Sequence, residues 1–218
     1  MSEIFPYSCV IYDLDGTLID SRLDIAAALN QARAHFKLPE HNLDDVMPMI
    51  GHGLRHLVEC GFANSEINIE QAFEVTKQTY QEQPCRFSKP FPGVLKTLEQ
   101  LQECGIIQYI VSNKPTFLVP SVLQNLNMTT YFKQAFGGED FPKRKPNPMA
   151  IEYILEQEPK LNKKDLLMVG DMNPDLEMAN RAGIDSAFCQ FGYATSTLKA
   201  SHQLQQFSDL LNLTSSCS

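Results

Sequence analysis

The sequence predicts an α/β protein: a parallel sheet flanked by helices, interrupted after its first strand by a small all-helical block. Three observations carry that prediction. A β-branched and aromatic run, Val10-Ile11-Tyr12, ends abruptly in Asp13-Leu14-Asp15-Gly16. From Val94 onward, apolar runs of strand length alternate with segments of helical periodicity. Between about residues 20 and 88 the spacing is helical and no strand signal intervenes. The expected division is therefore 1–19 with 89–218 as the α/β core, and 20–88 as the helical block.

In chain order, Ser21-Arg22-Leu23-Asp24 has the pattern of a capping box, and Ile25, Leu29, Ala32 and Phe36 recur at helical spacing behind it. Asn42 and Asp45 open a second helix carrying Val46, Met49 and Ile50, which Gly51-His52-Gly53 breaks. A further helix runs over about 69–83 with Phe73 and Tyr80 among its bulky positions. Pro84, Pro90, Pro92 and Gly93 then mark a hinge or linker. Val94, Leu98 and Leu101 form a helical stripe that Gly105 stops, and 106–111 is a buried strand ending at Ser112-Asn113-Lys114-Pro115. A helix with Leu118, Val122, Leu123 and Leu126 leads to a short strand within 131–136. Asn147-Pro148 predicts the start of a helix bearing Ile151, Ile154 and Leu155. Residues 166–169 form a buried strand ending at Gly170-Asp171, Asn173-Pro174 caps the next helix, Gly183 ends it, and 184–191 is a last strand. The small polar tail, 214–218, is expected to fray.

Composition narrows the function classes. With 218 residues, 43% hydrophobic, the chain can bury a full core and no segment approaches the roughly 18 apolar residues of a membrane span. The first six residues lack the basic and apolar regions of a secretory signal. Six cysteines are scattered without short paired spacing; Cys9, Cys60, Cys104 and Cys189 lie in or beside apolar runs and read as buried free thiols of a reducing, cytoplasmic compartment. Cys217 stands too near the end for a prenylation box. A net charge of −8 argues against a nucleic-acid partner, but leaves a small anionic ligand open because local fields decide that. The expected state is a monomer or weak homodimer.

In parallel α/β sheets, ligands sit beyond the carboxyl ends of the strands. Asp13 and Asp15 stand there two apart and face the same way by alternation, a like-charge pair that needs a positive partner. Two further strand ends carry polar clusters, Ser112-Asn113-Lys114 and Asp171 with Asp175, and Lys145 lies between them in Lys143-Arg144-Lys145-Pro146-Asn147-Pro148. Each cluster alone reads as a solvated turn or a charged helix end; converging on one edge, they read as an active site.

These motifs resemble those of the haloacid dehalogenase superfamily, and within it the phosphoglycolate-phosphatase-like members. Asp13-Leu14-Asp15-Gly16-Thr17-Leu18, with Asp20-Ser21 after it, matches the first motif; Ser112 with Asn113-Lys114-Pro115 the second; Lys145 of the Lys-Pro-x-Pro run the third; Gly170-Asp171 with Asp175, then Ala182-Gly183, the fourth. The match spans nearly the whole chain, with one departure: Met172 stands where small hydroxyl residues are common. The resemblance implies a Rossmann-like core with the helical block as its cap. It implies that Asp13 is the nucleophile, forming an aspartyl-phosphate, and that Asp15 is the general acid and base. It implies Mg²⁺ held by Asp13, the Asp15 backbone carbonyl and Asp171, with Thr17 and Asp175 orienting these groups or, for Asp175, pairing with Lys145. Ser112, Asn113 and Lys145 would bind phosphoryl oxygens, and Lys114, a typical strand-end residue of the family, is read as either structural and supporting or catalytic.

Asp15 separates branches of this superfamily, because dehalogenases lack an acid two residues after the nucleophile. The implied activity is hydrolysis of small, anionic phosphate monoesters, 2-phosphoglycolate foremost. A phosphosugar mutase of the same superfamily and a catalytically silent binding protein are the alternatives. His52 and Arg55 fall in the implied cap; Arg55 is read either as a partner for a substrate carboxylate or as an ordinary solvent-facing arginine. His52-Gly53-Leu54-Arg55-His56 has the histidine spacing of a zinc helix, but Gly53 occupies the place of the required glutamate.

Overall fold

The computed structural model describes residues 6–193, 196 and 198–213. The expectations for the amino terminus, the tail and Cys217 fall outside these residues. β1 (Cys9–Tyr12) is fully buried and alternates its side chains between two cores: Val10 and Tyr12 enter one, Cys9 and Ile11 the other. This explains its unbroken apolar run, since a strand covered on both faces has no solvent side. The chain then forms β2 (Ile19–Asp20), α1 (Arg22–His35), α2 (Leu43–Val46), α3 (Leu54–Gly61), α4 (Ile69–Glu82) and β3 (Lys89–Pro90). It continues with α5 (Val94–Glu103), β4 (Ile107–Val111), α6 (Val119–Asn125), β5 (Gln134–Phe136), α7 (Met149–Gln157), β6 (Leu166–Gly170), α8 (Asn173–Ala182), β7 (Asp185–Cys189) and β8 (His202–Leu204).

The main sheet has the order β5-β4-β1-β6-β7-β8 and is parallel throughout. With β1 between β4 and β6, the segments that follow these three strands emerge side by side at one edge. That edge receives Asp13, Ser112 and Asp171.

Between β2 and β3 the described residues are helical, as expected, and pack around their own core of Ile25, Leu29, Val46, Leu57, Val58 and Phe62. Both crossings into this block lie together, because β2 and β3 pair antiparallel with Ile19 opposite Pro90 and Asp20 opposite Lys89. Strands of two residues carry no periodicity, so this pairing left no sequence signal. The capping box read at Ser21 and Asp24 does not form. The Ser21 hydroxyl donates to Asp15 instead, and the buried Asp24 carboxylate accepts the backbone N–H groups of Arg86, Phe87 and Ser88 at 3.1, 3.0 and 2.7 Å. Asp24 therefore ties the start of the block to its return.

Smaller corrections follow the same logic. The break at Gly53 is followed at once by α3, a helix not among those placed by spacing. The α7 helix starts one residue later than read, although Asn147 still accepts the Met149 N–H at 3.2 Å. Met172 rather than Asn173 is the N-cap of α8, and the Asp175 carboxylate accepts the Met172 N–H at 3.0 Å. The edge strand β8 and the 3₁₀ turn at Phe207–Asn212 were not expected. Cys9 and Cys189 are buried free thiols, whereas Cys60 is only partly buried and Cys104, at the exposed end of α5, is open to solvent.

Candidate active site

The backbone leaves β1 into a tight turn, with Gly16 at φ +86° packed so closely on Asp171 that a Cβ there would lie 2.3 Å from its carboxylate. Only glycine permits both the left-handed geometry and the contact. Asp13, Asp171 and Asp175 are all buried, and one carboxylate oxygen from each lies within 4.8 Å of the others. Lys145 reaches in between, its Nζ 2.7 Å from both Asp13 Oδ1 and Asp175 Oδ1. Asp175 spends its other oxygen on the Met172 N–H. Asp171 accepts the Thr17 hydroxyl at 2.9 Å on Oδ1 and the Tyr193 N–H at 2.7 Å on Oδ2.

Three buried carboxylates beside a single ammonium leave an excess of negative charge. Burial pushes the Asp13 carboxyl up to about 6, with Lys145 opposing and Asp175 adding to the rise. Burial together with Asp13 and Asp175 drives Asp171 well above the carboxylate range, against the pull of Tyr193 and Thr17. Burial alone would lower the Lys145 ammonium, yet Asp13 and Asp175 hold it above its ordinary value. A set of hard oxygen donors short of positive charge suits a divalent cation such as Mg²⁺.

The second acid occupies different surroundings. Asp15 accepts the Ser21 hydroxyl at 2.5 Å and the Lys114 ammonium at 3.0 and 3.2 Å on its two oxygens. Lys114 in turn donates to the Tyr80 hydroxyl of α4 at 2.6 Å. Burial would lower Lys114, but Asp15 and Tyr80 raise it above its ordinary value, while burial lifts the Tyr80 phenol to about 12. Lys114 thus stays charged beside Asp15.

A cavity opens over both acids. Its floor includes Asp13, Asp15, Ser112, Asn113 and Lys114, and its far wall is Ile25, Met49, Ile50, Leu54, Leu57 and Tyr80 from the helical block. Ser112 sits within it, its hydroxyl accepting the Lys114 N–H at 3.2 Å. Asn113 has its side chain committed elsewhere: Oδ1 accepts the Lys145 N–H at 3.1 Å, and Nδ2 donates to Gly51 O at 3.0 Å. It clamps the Lys145 loop to the block, which leaves only its backbone for a ligand.

His52 and Arg55 are not brought to this cavity. α3 turns Leu54 and Leu57 toward it, and helical rotation carries Arg55 outward, where it pairs with Glu70 at 2.6 Å and Glu59 at 3.3 Å and lies over the Phe73 ring. His52 is exposed, with its ring edge-on to His56. The departure at Met172 acquires a reason here: a Cβ at Gly51, φ +99°, would lie 2.2 Å from the Met172 sulfur, so this long side chain fills the gap between α8 and the block.

Three participants were not read from the sequence. Tyr80 registered only as bulk, because helical spacing reports burial and not where a hydroxyl ends. Ser21 was read as a cap. Tyr193, far along the chain, has a hydroxyl that accepts the N–H groups of Ser21 and Arg22 at 2.5 and 3.1 Å while its own N–H serves Asp171, so it links the first crossing to the acidic cluster.

The family model described as haloacid dehalogenase-like hydrolase matches residues 10–189. Over 212 residues, 94% of this chain and 95% of the other, the sequence is 36% identical to a phosphoglycolate phosphatase of Aquifex aeolicus. It is 35% identical over 192 residues, 84% of each chain, to a phosphoglycolate phosphatase of Vibrio vulnificus. The crystal structure of a predicted phosphoglycolate phosphatase from Haemophilus somnus superimposes with a TM-score of 0.87 at 30% identity, covering 95% of this chain and 98% of that one. Among the described residues no helix is long and apolar enough to cross a membrane.

Proposed function

The chain belongs to the haloacid dehalogenase-like hydrolases, and from that premise we propose that it is a Mg²⁺-dependent phosphatase of small phosphate monoesters, with 2-phosphoglycolate the leading substrate. The observation that carries this reading is the unequal setting of the two acids on β1. Asp13 lies in the acidic cluster against Lys145, whereas Asp15 is held apart by Ser21 and Lys114.

In this mechanism an Asp13 oxygen attacks phosphorus as the bond to the ester oxygen breaks, giving an aspartyl-phosphate. Asp15 delivers its proton to the departing oxygen and then removes one from water. That water attacks the same phosphorus, releases phosphate and restores the Asp13 carboxylate. Lys145 and Ser112, with backbone N–H groups near Leu14 and Asn113, hold the phosphoryl oxygens; positioning and charge do most of the work in such transfers. Asp13, the Asp15 carbonyl and Asp171 would hold Mg²⁺, with Thr17 and Asp175 keeping these groups oriented. When bound, the ion supplies the positive charge that lets a phosphate dianion approach the carboxylates.

The α/β core would comprise 1–19 and 89–218, and 20–88 would act as a cap that walls the leaving-group side. The cytoplasm is the fitting compartment for a chain whose cysteines, among the described residues, are all free. The test is phosphate release from 2-phosphoglycolate. It should require Mg²⁺, vanish in EDTA and be absent in Asp13→Asn. Full turnover by that variant, or formation of an isomer primed by a bisphosphate in place of phosphate release, would overturn the reading.

A further inference from the structure

The cavity wall that faces the departing group is almost wholly apolar. Ile25, Met49, Ile50, Leu54 and Leu57 supply no charge, and Arg55 points away from it into Glu70 and Glu59. Lys145 has its ammonium set between Asp13 and Asp175, on the phosphoryl side. The cation that lines the cavity is Lys114, beside Asp15, with a side chain only 2% exposed. A buried ammonium is costly unless its donors are met. The three donors of Lys114 meet the two Asp15 oxygens at 3.0 and 3.2 Å and the Tyr80 hydroxyl at 2.6 Å, so two of them go to one carboxylate, and one of that pair can turn to a ligand while Asp15 keeps the other.

The position matters as much as the charge. An acid that protonates the ester oxygen must touch it, so the atoms attached to that oxygen lie next to Asp15 and farther from Asp13. Lys114 contacts Asp15 directly, Tyr80 contacts Lys114, and both line the cavity. We propose that Lys114, steadied by Tyr80, is the specificity-determining residue of this enzyme: it binds a carboxylate carried on the carbon next to the ester oxygen, and so selects phosphate esters of short 2-hydroxy acids over neutral alkyl phosphates. The apolar wall limits what else the leaving group can carry, since a second charged or strongly polar substituent would be left unpaired against Leu54 and Leu57. This assignment rests on the phosphatase reading of the same site and adds the residue that chooses the substrate.

The experiment compares kcat/KM for 2-phosphoglycolate and for ethyl phosphate, which has the same number of carbons and no carboxylate. The proteins are the full chain and its Lys114→Met and Lys114→Gln variants, assayed with Mg²⁺ after circular dichroism has confirmed folding. The unmodified protein should prefer 2-phosphoglycolate by about 100-fold, the scale expected when a buried charge partner is lost. Lys114→Met should erase that preference, losing about 100-fold more on 2-phosphoglycolate than on ethyl phosphate. If Lys114→Met does not fold, Lys114→Gln, which keeps a donor for Tyr80, is judged by the same ratio. Parallel losses on both substrates would show that Lys114 merely positions Asp15 and would overturn the assignment, as would an unmodified protein with no preference. Phosphate release from neither substrate would instead sink the phosphatase reading itself.

Discussion

Replacing Asp171 by asparagine should make the metal-free protein more stable while removing its response to Mg²⁺. Asp171 is fully buried, with an oxygen within 4.8 Å of both Asp13 and Asp175. At such a separation and an effective dielectric near 20, each like-charged pair costs about 4 kcal/mol, and Lys145 offsets roughly one of them. The amide would keep one of the two hydrogen bonds now made by Thr17 and Tyr193 and lose the other, at about 1–3 kcal/mol. The net expectation is a gain of about 2 kcal/mol, or about 6 °C in Tm for a chain of this size.

Magnesium at 100 times its Kd should stabilise the unmodified protein by about 2.7 kcal/mol and leave Asp171→Asn unmoved. The sign with pH follows from the raised carboxyls. A group whose pKa is higher folded than unfolded stabilises fully at acid pH and loses that contribution as pH rises through its folded value. Asp13, lifted to about 6, and Asp171, also lifted well above its ordinary value, should therefore weaken the metal-free protein as pH climbs from about 4 through about 6. Asp171→Asn should lose less over that range. Thermal unfolding by circular dichroism, in EDTA and in MgCl₂ across pH, reads all three effects. A variant that melts lower than the parent in EDTA, or that keeps the Mg²⁺ shift, would refute the charge argument.

Lys145→Met should destabilise by about 3–5 kcal/mol, since it leaves Asp13 and Asp175 buried without their shared cation. Urea unfolding measures this, and a loss under about 1 kcal/mol would contradict the pairing. Adding Asp175→Asn should recover part of the loss. Arg55→Ala should change kcat/KM by less than about twofold on 2-phosphoglycolate and on ethyl phosphate alike, because its guanidinium serves Glu70 and Glu59 at the surface. A selective loss on 2-phosphoglycolate would return Arg55 to the substrate site.

The parts of the molecule readable in advance were those with a period or a fixed spacing. β1, β4 and β6 are runs buried on both faces, and the polar residues at their ends converge on one edge as the spacing implied. The resemblance offered two roles for Asp175, orienting neighbouring groups or pairing with Lys145, and the second is the contact the structure makes. What escaped depends on where a side chain's tip arrives. Arg55 follows two residues after a glycine break, and the rotation of a helix that starts there is decided by the packing of Leu54 and Leu57. Tyr80 lies on α4, 34 residues from the lysine its hydroxyl meets. Ser21 and Asp24 satisfied a local capping pattern, but longer-range partners claimed both side chains. Met172 looked like a lapse in a motif until the backbone of Gly51 was found beside it.

The paired crossings at Asp20 and Lys89 have a consequence for how such a protein can change. The helical block leaves and rejoins at residues that face each other across one antiparallel pair, so its two ends lie about 5 Å apart. A segment with adjacent ends is a module: another fold with similarly spaced termini could be grafted at this point without altering the order or direction of any strand in the main sheet. The acidic cluster that follows β1 and β6 thus sits on one piece of chain, and the apolar wall above it sits on another that can be exchanged. Among the described residues, the hydrogen bonds of Asn113 with Gly51, of Lys114 with Tyr80, of Ser21 with Asp15 and of Tyr193 with Ser21 and Arg22 mark where a transplanted block must make terms with the old core.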